Sequence, residues 1–174
     1  QQGRRVQTML EAAGEALFAQ DIAKAKQVAQ QDDEIDRVDV EIEQACVTLL
    51  TDACRDGANL APDDVRAALT AVKVNNELER IADEAVGIAE STGSIATAGQ
   101  AMPETFRVMA NSVVGILRDV CTAYDRNDTR LAKIVLKSQD TAAAFKRAIV
   151  RDAERRIHAG DLDVDAAFLL QELA

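Results

Sequence analysis

Apolar side chains recur every three or four residues along almost the whole chain, which is the spacing of one face of an α-helix. The first 91 residues contain three such stretches, with apolar stripes that begin at Val6, Val28 and Ala67. Only two of the 174 residues are proline and only 3% are aromatic, a composition that favours long, closely packed helices over a β-sandwich. The sequence therefore predicts an all-α protein.

Capping signals set the boundaries of the first three helices. The first is predicted over about residues 4–19, and Asp21 is a predicted N-cap for the second. Gly57 is a plausible residue to end the second helix, and Pro62 at a first helical position opens the third. We therefore expect a short helix followed by two long ones.

The second part of the chain repeats this order. Residues 92–102 are small and uncharged, which predicts a linker. A fourth helix is predicted from Pro103, a fifth from Asn127 or Asp128 to Gly160, and a sixth that opens at Asp161 or Asp163 and is still running at Ala174. The side chains of the fourth helix expected to face inward are Phe106, Met109, Val113, Ile116, Val120 and Tyr124.

A weak internal repeat supports the same division. Aligning Asp21 with Asp128 gives five identical pairs over thirteen columns, among them Ala25 with Ala132 and Val28 with Val135. The predicted fold is therefore two tandem three-helix bundles, antiparallel and side by side. Their bounds are residues 1–91 and 103–174, with the linker at 92–102.

The net charge of −10 is confined to the first part of the chain. Residues 1–98 hold 9 basic and 19 acidic side chains, whereas residues 99–174 hold 11 of each. Such acidity argues against nonspecific binding of nucleic acid or anionic membranes, and no apolar run is long enough to insert into a bilayer. The three cysteines are sparse and follow no framework, which indicates reduced thiols in a cytoplasmic protein.

Carboxylates form a line along the predicted second helix. Asp32, Asp36, Asp39 and Glu43 are spaced by four, three and four residues, so they share one face at the border of the apolar stripe. Like charges at these spacings destabilise a helix by about 0.2–0.5 kcal/mol per pair. The arrangement therefore calls for solvent, basic neighbours or a cation.

The third helix carries a second, shorter line, formed by Glu79 and Asp83. If the second and third helices pack antiparallel, the two lines meet at the edge of the bundle. Oxygen ligands of this kind suit hard divalent cations or a carboxylate-bridged iron site. Spacing alone leaves a second interpretation open, namely two solvated acidic faces.

Enzymatic signatures are missing from the sequence. His158 is the sole histidine, so it cannot supply the two Glu-x-x-His motifs of ferritin-like di-iron enzymes. No serine or cysteine lies in a recognisable nucleophile elbow, and no glycine-rich phosphate loop is present. We therefore expect a non-enzymatic protein with no catalytic residues.

The run Leu78-Glu79-Arg80-Ile81-Ala82-Asp83, followed by Ile88-Ala89-Glu90, resembles the signature of the PhoU family of phosphate-signalling regulators. The acidic segment at residues 32–36 resembles the motif that this family carries on the preceding long helix. The resemblance extends over the whole chain in architecture, because the family is built from two three-helix repeats.

This resemblance implies a metal site with a (Glu/Asp)-x-x-x-Asp pattern on paired helices. Carried over by position, the ligands are Asp32, Asp36, Glu79 and Asp83. The implied cofactor is a divalent metal or an iron cluster, with Fe, Zn, Mn and Mg as the candidate metals. The second repeat departs from the pattern, and the chain ends before its second acidic signature. In the repeat alignment, the four positions of the acidic line of the second helix correspond in the fifth helix to Gln139, Ala143, Lys146 and Val150.

The resemblance further implies regulation of phosphate uptake and of the phosphate-starvation response. The implied partners are a sensor histidine kinase and the ATPase of a phosphate ABC transporter, with no nucleic acid and no membrane insertion. Self-association as a homodimer stays open. The alternative function is a metal-free helical adaptor, accessory to another phosphate transporter, whose acidic face binds a basic partner surface.

Overall fold

Six α-helices make up the fold of this computed structural model, which describes residues 1–57, 60–99 and 101–173. They are α1 (Gln2–Ala19), α2 (Ile22–Arg55), α3 (Pro62–Ala98), α4 (Glu104–Asp125), α5 (Thr129–Ala159) and α6 (Val164–Glu172). The predicted all-α fold is confirmed. The sixth helix ends at Glu172, and Ala174 lies outside the described residues.

The predicted capping residues are found at the helix ends. The side chain of Asp21 accepts a hydrogen bond from the backbone N–H of Lys24, and Asp128 and Asp163 cap α5 and α6 in the same way. Pro62 is the first residue of α3. Gly57 follows the end of α2 with a φ of 64°, in the left-handed region that glycine adopts without strain.

The predicted linker is wrong over its first seven residues, because α3 continues through Ala98. Thr92 and Ile95 are fully buried there, so tertiary packing stabilises a helix that composition alone disfavours. Gly99 then ends the helix with a φ of 65°. Gln100, inside the predicted linker, lies outside the described residues.

Two apolar cores correspond to the two groups of helices. The first core is formed by α1, α2 and α3, with Leu117 of α4 against it. The second joins α4, α5 and α6 through Phe106, Ile149 and Leu170. Within the described ranges α1 contacts both α2 and α3, and α5 contacts both α4 and α6.

The two groups meet where α1 crosses α4, and a glycine allows the close approach. A Cβ atom at Gly3 would lie only 2.5 Å from Sγ of Cys121, so the residue has no room for a side chain unless the cysteine moves. At the other end of α1, the Arg107 guanidinium lies 4.4 Å from the centre of the Phe18 ring. In the part of the chain that the structure describes, no helix has both the length and the apolar character to cross a membrane.

Candidate metal centre on helices α2 and α3

Two polar contacts define how α2 and α3 are aligned. Nδ2 of Asn75 donates a hydrogen bond to Oδ1 of Asp39 over 2.6 Å, and Sγ of Cys46 lies 3.7 Å from the carbonyl oxygen of Ala68. From the first contact to the second, the residue number rises by seven on α2 and falls by seven on α3, so the two helices are antiparallel. The same register brings the turn of α2 that holds the first predicted ligands beside the turn of α3 that holds the others.

The four predicted metal ligands therefore lie along one shared edge of the bundle. On α2, Asp36 lies one turn before Asp39, which brings it level with Glu79 of α3. Asp32 lies one further turn before Asp36 and is level with Asp83 of α3. Asp32 and Glu79 are partly buried, whereas Asp36 and Asp83 are exposed. The two lines predicted from spacing do meet.

The electrostatics of this edge reflect carboxylates that crowd one another. Burial raises the pKa of Asp32, and the charges of Asp36, Asp83 and Asp33 raise it further. Burial likewise raises the pKa of Glu79, with contributions from the charges of Asp83, Asp36, Asp39 and Asp32. The charges of Asp36 and Asp83 thus raise the pKa of both partly buried carboxylates, Asp32 and Glu79.

One carboxylate oxygen at this edge has no partner. Oδ1 of Asp32 is buried and makes no hydrogen bond, a state that costs free energy unless a donor or cation satisfies it. The oxygen chemistry and this orphaned atom fit a hard cation. Among the described residues, however, no three His, Cys, Asp or Glu side chains converge closely enough to enclose a metal ion.

Asn75 belongs to this edge and was missed by the sequence analysis. It is only 4% exposed, and its Oδ1 is buried without a partner while its Nδ2 binds Asp39. The signal was its position in the apolar stripe of α3, four residues after Ala71 and three before Leu78. A polar residue in such a stripe needs a buried hydrogen-bond partner, and here that partner is Asp39 of α2.

The residues that replace the acidic line in the second repeat present a different surface. Gln139, Ala143 and Lys146 are exposed on α5, and Val150 is partly buried. Along α5 there are eight basic and three acidic side chains, whereas α2 has four basic and eight acidic ones. The two long helices that occupy equivalent places in the repeats thus differ in the sign of their charge.

The raised pKa values predict how stability depends on pH. An acid whose pKa is higher in the folded than in the unfolded state binds more protons when folded, so stability falls as pH rises through that interval. In metal-free buffer, the Asp32→Asn variant should melt at a higher temperature than wild type at pH 7. The difference should shrink as pH falls below the ordinary pKa of aspartate. Melting temperatures measured from about pH 3.5, just below the ordinary pKa of aspartate, up to about pH 7.5 test this, and a constant difference would contradict it.

Comparison with known proteins identifies the family. The PhoU domain matches residues 1–92 of this chain. A phosphate-specific transport system accessory protein PhoU homolog from Aquifex aeolicus is 30% identical over 150 residues, which cover 84% of this chain and 65% of the relative. A second such homolog, from Clostridium acetobutylicum, is 28% identical over 76% of this chain and 60% of its own length. This chain thus spans less than two thirds of either relative.

The fold agrees with a solved structure of the same family. The crystal structure of PhoU from Pseudomonas aeruginosa superposes with a TM-score of 0.89 at 23% identity, over 98% of this chain and 80% of that one. The PhoU domain matches more than half of the residues of this chain. The matched residues include both acidic motifs, on α2 and on α3. The chain belongs to the PhoU family.

Proposed function

We propose that this protein is a cytoplasmic, non-enzymatic regulator of phosphate uptake and of phosphate-starvation signalling. It acts by contact with a sensor histidine kinase and with the ATPase of a phosphate ABC transporter. The observation that carries the proposal is that residues 1–92, which match the PhoU domain, include the paired carboxylates of α2 and α3. The printed names of the relatives, accessory proteins of a phosphate-specific transport system, agree with this role.

Deletion of the gene in the source organism tests the regulatory role. With phosphate in excess, the deletion strain should express its phosphate-starvation genes, because the regulator that restrains them is absent. A plasmid copy should restore repression, and the wild-type protein should co-purify with the transporter ATPase. Unchanged transcription in the deletion strain would contradict the proposal.

We further propose that Asp32, Asp36, Glu79 and Asp83 hold a divalent metal or an iron cluster. The exposed carboxylates of Asp36 and Asp83 are free to rotate towards the partly buried pair, and a cation there offsets the mutual repulsion of the four groups. A metal that binds only when α2 and α3 are paired stabilises that pairing by RT ln(1 + [L]/Kd). The metal therefore holds α2 and α3 together. The exposed faces of these two helices are available to partners.

Elemental analysis of the purified protein tests this site. Wild type should retain Fe, Zn, Mn or Mg and should melt at a higher temperature when that ion is added. Asp36→Ala and Glu79→Ala should lose both properties, because each removes one ligand from a different helix. Glu84→Ala is the matched control, since Glu84 is exposed beside Asp83 on α3 and should leave both unchanged. A wild-type protein with neither retained metal nor a thermal shift would overturn the site.

A metal-free adaptor for another phosphate transporter is the second candidate function. It is favoured by the failure of any three of these acidic side chains to converge within the described residues. On this alternative the acidic edge binds a basic partner surface directly. Charge reversal at Asp32 and Asp36 should then abolish capture of the transporter, whereas the melting temperature should not respond to added metal.

A further inference from the structure

We propose that the outer face of α5 is a docking surface for membranes that contain anionic phospholipid. The protein lies on such a membrane peripherally, without inserting a helix. The proposal goes beyond the regulatory role, and it requires neither a bound metal nor a partner protein. It rests on a line of exposed, unpaired basic side chains and on the exposed apolar side chains beside that line.

The basic side chains of this face form what we call the cationic line. Positions 130, 133, 137, 140, 144, 147 and 151 of α5 are spaced alternately by three and four residues, so they share one face. Five of the seven are basic, and all five are exposed: Arg130, Lys133, Lys137, Arg147 and Arg151. The line extends for about 30 Å along the helix, so it can contact several lipid headgroups at once.

The charge of the cationic line is not neutralised by any side chain that the structure describes. Other arginines pair with a carboxylate one turn away, as Arg55 does with Asp52 and Arg155 with Asp152. No ion pair among the described residues involves a basic member of the line. Like charges at these spacings destabilise a helix, so the line gains from an external anionic surface.

The acidity of the whole chain does not cancel this local charge. The net charge of −10 arises from residues 1–98, whereas α5 has eight basic and three acidic side chains. Within the described ranges α5 contacts α4 and α6 but neither α2 nor α3. Salt screens exposed charges beyond about 10 Å at 0.1 M, so a surface placed against α5 senses mainly the charges of α5 itself. Total charge is therefore a poor guide to what this face binds.

Exposed aliphatic side chains border the N-terminal half of the cationic line. Ile134 is 63% exposed and Leu136 is 69% exposed, on either side of the face that holds Lys133 and Lys137. At the boundary between headgroups and acyl chains, aliphatic side chains leave water while neighbouring lysines reach the headgroups. Apolar burial and charge pairing thus favour the same contact.

Exposed apolar side chains also lie beside the C-terminal half of the line, on α6. Phe168 is 61% exposed and Val164 is 50% exposed. Both line a groove with Val150 and Glu154 of α5, next to Arg151. The cationic line is therefore bordered by exposed apolar area along most of its length.

This combination favours lipid over other anionic macromolecules. A nucleic acid offers phosphates to the basic side chains but leaves the aliphatic borders at Ile134 and Leu136 in water. Aromatic side chains on which unpaired bases could stack are missing from the seven positions of the line. A bilayer interface accommodates the basic and the apolar side chains together.

Co-sedimentation with phospholipid vesicles in EDTA tests the proposal, because EDTA prevents a divalent cation from bridging protein carboxylates to lipid. At low salt, wild type should pellet with phosphatidylcholine vesicles that contain phosphatidylglycerol and should stay in solution with phosphatidylcholine alone. About 0.5 M NaCl should release the bound protein, since exposed charges are then strongly screened. A wild-type protein that binds neither kind of vesicle would overturn the proposal.

Charge-reversal variants identify the face. Lys133→Glu/Lys137→Glu should weaken vesicle binding by at least about 25-fold, because each basic side chain near an anionic bilayer contributes about fivefold. Lys26→Glu/Lys73→Glu is the matched control, the same change in charge at exposed residues of α2 and α3, and it should bind as wild type does. Circular dichroism verifies that both variants are folded. Unchanged binding by the first variant, or equal losses in both, would overturn the assignment to α5.

A third variant tests the apolar contribution. Ile134→Ser/Leu136→Ser should weaken binding at low salt while the salt dependence stays that of wild type, because the charges are unchanged. Unaltered binding would show that these side chains do not enter the interface, and the choice of lipid would be wrong. If wild type ignores the vesicles yet is retained by immobilised poly-glutamate, the cationic line serves an acidic protein surface and docking to lipid is wrong.

Discussion

Replacement of Ile35 by alanine is expected to lower the free energy of unfolding by about 2–5 kcal/mol, the range for deleting a large aliphatic side chain from a packed core. Ile35 is 2% exposed and belongs to the first core, where α2 packs against α1 and α3. Its carbonyl oxygen also accepts a hydrogen bond of 3.0 Å from Nε2 of Gln2, which is itself buried. The variant therefore leaves a cavity at the point where three helices meet.

Urea unfolding followed by circular dichroism measures this effect. The midpoint should fall while the slope with denaturant stays constant, because the surface exposed on unfolding is nearly unchanged. Val40→Ala is the control on the same helix, since Val40 is 49% exposed and its truncation should change stability by at most about 0.5 kcal/mol. Equal losses from the two variants would show that Ile35 is not a core residue.

Local signals account for the parts of this fold that the sequence predicts well. Asp21 and Asp128 cap helices because a carboxylate satisfies free N–H groups wherever the chain turns into a helix, and this needs no tertiary contact. The carboxylates of α2 and α3 could be placed on one edge for a similar reason, since helical spacing alone decides which side chains share a face. The choice of four of these carboxylates as predicted metal ligands rests on the family resemblance.

Predictions that depend on packing between distant segments were less reliable. Residues 92–98 have a linker composition, but burial of Thr92 and Ile95 keeps them helical. In α4 the expected inward stripe includes Val113 and Val120, which are 37% and 39% exposed. The described part of α6 is nine residues long, so it covers much less of its neighbours than α3 covers in the first bundle.

The candidate site shows the same limit. Spacing identified the charged residues but not Asn75, because its one signal was that a single polar residue interrupts the apolar stripe of α3. Its role follows from a contact with Asp39, a residue 36 positions away in sequence, which only the register of α2 and α3 reveals. The neutral member of this edge thus makes one of the two polar contacts that align the helices.

Replacement of Asn75 by aspartate should be more disruptive than its small change in shape suggests. The new carboxylate would take the place of an amide that donates to Asp39 over 2.6 Å at a 4% exposed position. At pH 7 we expect a loss of about 3–5 kcal/mol, the cost of leaving a buried charge uncompensated. The loss should decline as pH falls, because a protonated aspartic acid can donate the same hydrogen bond and the pair then shares one proton.

Urea unfolding at pH 7 and pH 4.5, where a shared proton is retained by a pair of close carboxylates, distinguishes this mechanism from general damage to the helix. Asn76→Asp is the matched control, since the neighbouring Asn76 is exposed and the same change there should alter stability by at most about 0.5 kcal/mol at either pH. A loss at Asn75 that does not depend on pH would show that the new charge is not held against Asp39. The proposed metal site adds one more expectation: a divalent cation should recover part of the loss, because it neutralises the carboxylates at the edge where α2 and α3 meet.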